Sequence, residues 1–338
     1  LGLLVESQAT NYNTKSEDIA GWSAPGNMTI SANAMVAPNG TLTADVLTVS
    51  DDTVASGHFA YRSVTGGSSG DSVAVSFYAK STGVDKLYFY DAGGGSNLSI
   101  FNLADGTVSF SNSANSKITD CGNGWYHCVG VYTLVGGSPN LRFYSYNGTT
   151  TTYIASGYDG FALWGVQVEI GVSSESSYIS TSGSTVSRAS DSCSLVSAPL
   201  LDNGSGGLTV EYDMRNASTT SYALQTARSS GATNNDGVTI FNEGLFVNGA
   251  GSSTRIGSTT SNVFHKVAAS WESGSQKISR DGSSVTEDTT TVVPQSGTDK
   301  LHIGTRQDGN ASVNGHIRNI AIYSEPLTST NLTTLSQL

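Results

Sequence analysis

Two pairs of tyrosines in the first half of the sequence have the spacing of a sugar-binding surface. Tyr88 and Tyr90, and likewise Tyr144 and Tyr146, are two residues apart, so a β-strand would place each pair on one face. Sugar rings stack their C–H faces on aromatic rings, and an amide such as that of Asn147 hydrogen bonds to sugar hydroxyls. Packing inside a β-sandwich would use the same tyrosines, so both interpretations stay open. Four further residues offer the same chemistry: Asn97, Asn140, Tyr153 and Tyr158.

A second candidate binding site lies in predicted loops of the last third of the chain. Arg306 and Asp308 are its principal members, and further amide and carboxylate side chains accompany them. Together these groups could donate and accept hydrogen bonds at one end of a sandwich. The accompanying residues are Asn235, Asp236, Gln307 and Asn310.

The sequence does not supply the acid–base pair of a glycoside hydrolase. A retaining enzyme needs two carboxyl groups about 5–5.5 Å apart. A Glu-x-Asp-x-x-Glu strand would provide them, and Glu211 and Asp213 match its first two positions. The third position is Asn216, whose amide cannot protonate a leaving group. We therefore expect the protein not to be an enzyme, and we expect Glu169 to be either a structural hydrogen-bond acceptor or part of a sugar site.

Metal-binding and phosphate-binding motifs are missing as well. The five histidines have none of the spacings of zinc ligands, and there is no phosphate-binding loop. No cofactor is therefore predicted. Calcium stays open, because aspartates in turns can bind Ca²⁺, although each is more simply explained as stabilising its turn. These aspartates are Asp236, Asp281, Asp299 and Asp308.

The composition favours short strands joined by turns. The 338-residue chain has 13% charged residues, 39 Gly and 15 Tyr, whereas a helical bundle would be rich in Ala, Leu, Glu and Lys. The net charge of −11 and the lack of a Lys/Arg cluster exclude nucleic acid as a partner. No apolar run of about 18 residues occurs, so membrane insertion is not predicted. Because the chain begins at Leu1 without Met or a signal-like segment, we expect it to be part of a longer or processed protein.

A first β-sandwich domain is predicted for residues 1–185. Val73, Val75 and Phe77 alternate with other residues, as in a half-buried strand. Asp105-Gly106 is a strong hairpin signal, and glycine-rich pairs mark other turns. The predicted strands are residues 71–80, 86–90, 98–103, 107–111, 125–134, 141–146 and 161–170.

The segment 161–191 closes this domain and leads into the next. Its alternation predicts a half-buried strand with Phe161, Leu163, Gly165, Gln167 and Glu169 on one face and Ala162, Trp164, Val166 and Val168 on the other. The Ser-rich continuation has no apolar period and too little apolar surface to fold alone. Residues 186–198 are therefore predicted to be a linker.

A second β-sandwich is predicted for residues 199–338. Asp281-Gly282 turns a hairpin, and Thr328 can cap a short helix with Leu332 and Leu335 on one face. The predicted strands are residues 208–214, 222–227, 237–241, 244–247, 264–271, 276–280, 300–304 and 315–323. The fold class is thus all-β, with two β-sandwich (jelly-roll) domains in tandem and one short C-terminal helix.

The three cysteines cannot form a full disulfide framework. Cys121 and Cys128 flank a predicted turn, and they are either a disulfide across a hairpin or two thiols. Cys193 lies in the predicted linker and has no evident partner.

Several motifs of the first domain occur in a characteristic order. They are GLLVESQATN (2–11), SED (16–18) with Trp22, APNGTLTAD (37–45), GNGWYHC (122–128), WGVQVE (164–169), and YI (178–179) followed by RASD (188–191). In this order they resemble a β-sandwich, carbohydrate-binding-like module of tailed-bacteriophage virion proteins and their prophage relatives. The second domain is similar to concanavalin A/laminin-G-like jelly rolls, on residues 208–212, 266–271, 278–282, 317–323 and 326–327.

The resemblance implies a structural protein on the virion surface, displayed as a fibre, spike or decoration. Its expected activity is non-catalytic adhesion to host-surface polysaccharide, and its other partners are expected to be virion proteins. By family analogy it is an oligomer, with a trimer as the default, and multivalency would raise weak affinity by roughly 10²–10⁴. Two alternatives are an architectural head or tail decoration that binds only virion neighbours, and a polysaccharide-degrading enzyme.

Overall fold

The computed structural model describes most of the 338-residue chain. The described residues are 2–50, 55–93, 96–111, 116–155, 160–196, 204–215, 221–228, 237–242, 244–247, 253–257, 259–289 and 298–338. The chain divides into two compact units. We call Ala9–Arg188 the N-terminal unit, and Leu1–Gln8 together with Ala189–Leu338 the C-terminal unit.

Regular structure in the described residues is almost entirely β-strand. In chain order the elements are β1 (Leu3–Val5), β2 (Ala9–Asn11), β3 (Ser23–Gly26), β4 (Met28–Met35), β5 (Ala44–Val49), β6 (Ser56–Gly57), β7 (Phe59–Ser63), β8 (Ser72–Ser81), β9 (Lys86–Asp91), β10 (Ser96–Asn102), β11 (Thr107–Ser111), β12 (Lys117–Asp120), β13 (Tyr126–Thr133), β14 (Asn140–Ser145), β15 (Thr152–Tyr153), β16 (Gly160–Ile170), β17 (Val186–Arg188), β18 (Ser194–Val196), β19 (Gly206–Tyr212), β20 (Tyr222–Ala227), β21 (Val238–Phe241), β22 (Gly244–Val247), β23 (Ser253–Arg255), β24 (His265–Glu272), β25 (Ser275–Arg280), β26 (Thr286–Asp288), β27 (Lys300–Ile303), β28 (Gly315–Tyr323) and helix α1 (Ser329–Leu335). The predicted all-β fold class with one short C-terminal helix is confirmed. Within these described ranges, no helix has the length and apolar character needed to cross a membrane.

The N-terminal unit is built around two six-stranded antiparallel sheets. The strand order is β12-β13-β8-β16-β5-β4 in one sheet and β11-β10-β9-β14-β7-β3 in the other, which we call the β9–β14 sheet. Aromatic side chains fill the main core of this unit. The ring of Phe77 lies 4.9 Å from that of Phe143 and 5.4 Å from that of Phe101, edge to face in both cases. Such pairs add about 0.5–1.5 kcal/mol beyond the burial of their area.

Strand β16 differs from the half-buried strand that its alternation predicts. It is buried on both faces apart from its last residue. Gly165 has a φ of +62°, and the pairing of β16 with β8 shifts register between Trp164 and Gln167. This β-bulge turns Val166 and Val168 into the main core. The predicted division of faces is therefore wrong beyond Gly165, because one extra residue inverts the alternation.

The C-terminal unit is built around a second pair of six-stranded sheets. Their strand orders are β1-β28-β19-β24-β25-β26 and β18-β27-β20-β21-β22-β23. Tyr212, Val210 and Ile278 are fully buried in its core. Helix α1 starts after Thr328, whose hydroxyl oxygen accepts a hydrogen bond from the Asn331 N–H at 3.2 Å, as an N-cap residue does.

Strand β1 belongs to the C-terminal unit, not to the domain that follows it in sequence. It pairs with β28, with Leu3 opposite Ile317 and Val5 opposite Gly315. Strand β2, by contrast, pairs with β17 inside the N-terminal unit. The strand-like segment 2–11 is thus two strands of different units. Alternation could not reveal this, because the partner of β1 lies at the other end of the chain.

The predicted linker at 186–198 contains two paired strands. Strand β17 pairs with β2, and β18 pairs with β27. Both are three-residue strands with mostly exposed side chains, and Val196 is 82% exposed. Strands of this kind bury too little apolar surface to give a periodic signal, which is why the sequence pattern predicts a linker here.

Cys121 and Cys128 are free thiols. In the hairpin of β12 and β13, the residue opposite Cys128 is Ile118, so Cys121 lies beyond the pairing position. Burial raises the pKa of the Cys128 thiol well above its usual range, which keeps it protonated.

Candidate functional site

The four predicted tyrosines lie together on the outer face of the β9–β14 sheet. In β9 and β14, residues alternate between buried and partly exposed, and Tyr88, Tyr90 and Tyr144 are all partly exposed. The two strands are neighbours, and Tyr88 is directly opposite Tyr144. Tyr146 follows β14, and its N–H donates to the carbonyl of Lys86 at 3.0 Å. The two sequence pairs therefore form one surface.

Two further aromatic residues extend this surface onto β7. Phe59 lies opposite Tyr144, and its ring stacks on the tyrosine at 4.6 Å between centroids. Tyr61 lies opposite Arg142. Sequence reasoning missed both, although the alternation of FAYRS (59–63) is a signal for them. We call the combined surface the aromatic face: Phe59, Tyr61, Tyr88, Tyr90, Tyr144 and Tyr146.

Tyr88 contacts three other tyrosines of the aromatic face. Its ring is stacked 6.4 Å from that of Tyr90 and 6.2 Å from that of Tyr146, and it lies edge-on 5.9 Å from that of Tyr144. Burial raises the pKa of the Tyr88 hydroxyl, and the neighbouring tyrosines raise it further. The hydroxyl is therefore neutral at physiological pH and able to donate a hydrogen bond. Rings packed in this way lose little freedom when a ligand binds.

A cation lies within the aromatic face. The guanidinium carbon of Arg142 is 5.4 Å from the centre of the Phe59 ring and 5.9 Å from that of Tyr61. Its Nε donates to Asn140 Oδ1 at 3.3 Å, and its Nη1 donates to the Tyr144 hydroxyl at 3.4 Å. The planar group is held over the rings by stacking and by these weak hydrogen bonds.

Asn147 holds a turn beside the aromatic face. Its Oδ1 accepts hydrogen bonds from the backbone N–H groups of Thr149 at 2.9 Å and Thr150 at 2.8 Å. Tyr153 is directed away from the face, because its hydroxyl is hydrogen-bonded to Ser145 Oγ, a buried group. Two of the other sequence candidates, the Asn97 side chain and Tyr158, lie outside the described residues.

Arg306 and Asp308 lie in the C-terminal unit and pair with each other. The guanidinium donates from Nε to Oδ1 at 3.0 Å and from Nη2 to Oδ2 at 2.6 Å. The hydrogen bond from Arg306 holds the pKa of the Asp308 carboxyl far below its usual range. Asp308 Oδ1 also accepts from the Asn310 N–H at 3.0 Å. The polar groups of this loop therefore bond to one another. Asn235 and Asp236, which are predicted beside the pair, lie outside the described residues.

Glu211 on β19 is surrounded by donors. Its Oε2 accepts from Arg318 Nε at 2.7 Å and from Asn319 Nδ2 at 3.0 Å, and Lys266 Nζ lies 3.5 Å from Oε1. Burial opposes ionisation, but the hydrogen bonds from Arg318 and Asn319 outweigh it and lower the pKa of Glu211. Asp213 likewise accepts hydrogen bonds from the backbone N–H and the ring of His316. Glu211, whose pKa is lowered, cannot act as a general acid while it is ionised.

Glu169 is a buried acceptor inside the N-terminal unit. It is 2% exposed, and its Oε2 accepts from Gln167 Nε2 at 2.9 Å and from the Ser176 N–H at 2.8 Å. Gln167 Oε1 in turn accepts from the Ile179 N–H at 2.7 Å. These bonds fasten the segment after β16 against the outer side of that strand. Of the two predicted roles, the structural one matches this geometry.

A polar cleft of about 530 Å³ also lies in the N-terminal unit. Glu17 Oε1 accepts from the hydroxyls of Tyr178 and Ser180, both at 2.9 Å, while Lys15 forms an ion pair with Asp18 at 2.9 Å. The polar groups of the cleft thus largely satisfy one another. Across the part of the chain that the structure describes, no three His, Cys, Asp or Glu side chains are grouped to hold a metal ion.

The second half of the sequence, which forms most of the C-terminal unit, has a counterpart among known families. Residues 173–333 match the family model Laminin_G_3, the concanavalin A-like lectin/glucanases superfamily. The match covers slightly less than half of the chain, and it confirms the predicted concanavalin A/laminin-G-like jelly roll. No curated protein is significantly similar to the chain.

Two solved structures show a weaker likeness. The Ruminococcus gnavus IT-sialidase CBM40 is 13% identical with a TM-score of 0.32, and the alignment covers 42% of this chain and 87% of that one. Domains LG4-5 of the mouse laminin alpha1 chain are 13% identical with a TM-score of 0.32, over 78% of this chain and 90% of that one. TM-scores this low do not establish a common fold. None of these matches indicates a phage protein, so that resemblance stays a prediction.

Proposed function

We propose that this protein binds glycans without catalysis, through the aromatic face of its N-terminal unit. The observation that supports this most is the placement of six partly exposed aromatic side chains on and beside three adjacent strands. A continuous exposed patch of this kind is typical of a binding surface. Its rings can stack on the C–H faces of sugars, while Asn140 and Arg142 supply polar groups for the hydroxyls.

The carboxyl groups support the non-catalytic part of the proposal. The motif of Glu211 has an amide, Asn216, in place of its third carboxyl group, and hydrogen bonds from Arg318 and Asn319 lower the pKa of Glu211. Glu169 is enclosed by Gln167 and by the backbone of Ser176, out of reach of a substrate. A glycosidase would need one protonated and one ionised carboxyl facing the same glycosidic bond.

We also propose that the chain is displayed on the surface of a tailed-phage particle, as a fibre, spike or decoration, and that it is an oligomer there. The support is the order of its sequence motifs, several of which form the buried framework of the N-terminal unit rather than the aromatic face. The motifs therefore support a structural framework of the phage type, and they do not identify a ligand. Mass spectrometry of purified phage particles would test the location, and absence of the chain from the particles would reject it. Native mass spectrometry of the purified chain would test the oligomer, and a monomer would reject it.

A glycan array followed by calorimetric titration tests the adhesion proposal. The double variant Tyr88→Ala/Tyr144→Ala removes two rings of the aromatic face. Each stacked ring should contribute about 0.5–1.5 kcal/mol, so the variant should bind a positive glycan roughly 5- to 150-fold more weakly. Tyr323→Ala is the matched control, since Tyr323 is also partly exposed but ends β28 of the C-terminal unit.

Two outcomes would contradict glycan adhesion. One is an array without binding at high protein concentration, and the other is a double variant that binds as the wild type does. If the double variant instead dissociated an oligomer and no glycan bound, the aromatic face would be a contact with a neighbouring protein. That result would favour the architectural alternative.

A further inference from the structure

The outer surface of the β9–β14 sheet has a charge pattern unlike that of the whole chain. The chain carries a net charge of −11. On the outward positions of β9 and β14, however, the charged side chains are Lys86 and Arg142, and no carboxylate is present there. Asp91, at the end of β9, is fully buried on the opposite side. In a chain of negative net charge, the charged side chains on these outward positions are therefore both cationic.

Arg142 differs from several other arginines of the chain in what it contacts. Arg215, Arg306 and Arg318 each bind a carboxylate, at distances between 2.6 and 2.7 Å. The contacts of Arg142 are an amide, a phenol and two aromatic rings. Within the described residues its Nη2 donates to no protein acceptor. A guanidinium that is held in place by aromatic rings and contacts no carboxylate of the described residues is suited to bind a carboxylate of a ligand.

The positions of the rings and of the two cations are compatible with a single sugar chain. Arg142 lies directly opposite Tyr90 on one side and Tyr61 on the other. Directly opposed residues on one sheet face are about 4.5–5.5 Å apart, so a ring stacked on a tyrosine could bring a substituent to the guanidinium. Lys86 lies two residues from Tyr88 on the same face and forms no ion pair with a described residue.

We propose that the aromatic face binds an acidic saccharide, in which carboxylate-bearing sugar residues pair with Arg142. This inference rests on the proposed function, and it narrows the class of ligand from glycans in general to acidic glycans. The tyrosines would stack on neutral and acidic sugars alike, and Arg142 would give the preference for acidic sugars. A carboxylate bound by the planar fork gains two charge-assisted hydrogen bonds that a hydroxymethyl group cannot replace.

The test compares acidic oligosaccharides with their carboxyl-reduced counterparts, in which each carboxylate is replaced by a neutral hydroxymethyl group. An array of such pairs is followed by titration of the full chain with each positive pair. The wild type should bind the acidic member about 10- to 100-fold more tightly, the range expected for hydrogen bonds to a charged group. The ratio is taken within each variant, so a general loss of affinity does not change it; Arg142→Gln should abolish the ratio, and Arg142→Lys should restore part of it.

Controls separate this inference from the proposed function. Lys80→Gln removes one positive charge from the other sheet of the N-terminal unit, where Lys80 donates to the Asn123 carbonyl at 2.6 Å, and should leave the ratio unchanged. Thermal unfolding of each variant verifies that it folds. Equal binding of both members by the wild type, or an unchanged ratio in Arg142→Gln, would overturn the acidic preference and leave adhesion intact. If no pair bound at all, both proposals would fail.

Discussion

The pairing of β1 with β28 predicts that Val5 stabilises the C-terminal unit, although the N-terminal unit follows it directly in sequence. Val5 is 1% exposed and packs on Gly304, where a Cβ atom would lie 2.7 Å from Val5 Cγ2. Val5→Ala removes two methyl groups from this core. At about 0.8 kcal/mol for each buried carbon, plus the cost of the cavity, the free energy of unfolding of the C-terminal unit should fall by about 2 kcal/mol.

Calorimetry and hydrogen exchange together can assign this loss to one unit. For a unit of this size, 1 kcal/mol changes Tm by about 2–4 °C, so its transition should fall by about 4–8 °C. Exchange should become faster in Gly315–Tyr323 and stay unchanged in Ala9–Arg188. Val196→Ala is the matched control, because Val196 lies in the same unit but is 82% exposed, and it should stay within about 0.5 kcal/mol of the wild type. A lowered transition of the N-terminal unit, or no change in either, would refute the assignment of β1.

Two further predictions concern strand β16. Gly165→Ala should destabilise the N-terminal unit by about 1–3 kcal/mol, because φ is +62° and the new Cβ would lie 3.2 Å from Tyr78 and 3.3 Å from Tyr178; an unchanged urea midpoint would contradict this. Burial raises the pKa of Glu169 against its hydrogen bonds, so the folded state holds the proton more tightly than the unfolded state does. The contribution of this raised pKa to the free energy of unfolding is fully present below the unfolded pKa of 4.5, and it is lost as the pH rises through the folded pKa. From pH 4 to pH 7 the urea midpoint of the wild type should therefore change in the destabilising direction relative to that of Glu169→Gln, and identical changes in both proteins would argue against a raised pKa.

Local patterns are enough to predict many of the strands and part of the aromatic face. Gly315–Tyr323 and Thr107–Ser111 have the predicted bounds, because turn residues and alternation mark both ends of each strand. The spacing of Tyr88 and Tyr90 fixes their common face without knowledge of the partner strand.

The remaining features depend on pairings between distant parts of the chain. Phe59 joins the aromatic face because β7 lies beside β14, and no local pattern gives that order. The environment of Arg142 depends on distant pairing in the same way, because the two rings that its guanidinium contacts, Phe59 and Tyr61, belong to β7. The bulge at Gly165 is visible in the sequence as a glycine, but alternation cannot tell whether a glycine in a strand inserts a residue or keeps the register.

The short ladder of β2 and β17 makes the N-terminal unit a cassette. Ala9 is paired with Arg188, so the unit starts and ends at neighbouring positions. The flanking ends in the C-terminal unit are also close, since the Asp191 N–H donates to the Glu6 carbonyl at 2.9 Å and the Gln8 N–H donates to Ser190 Oγ at 3.0 Å. Joining the chain near residues 8 and 189 would therefore remove or exchange the whole N-terminal unit. The jelly roll would meanwhile keep its own strand order.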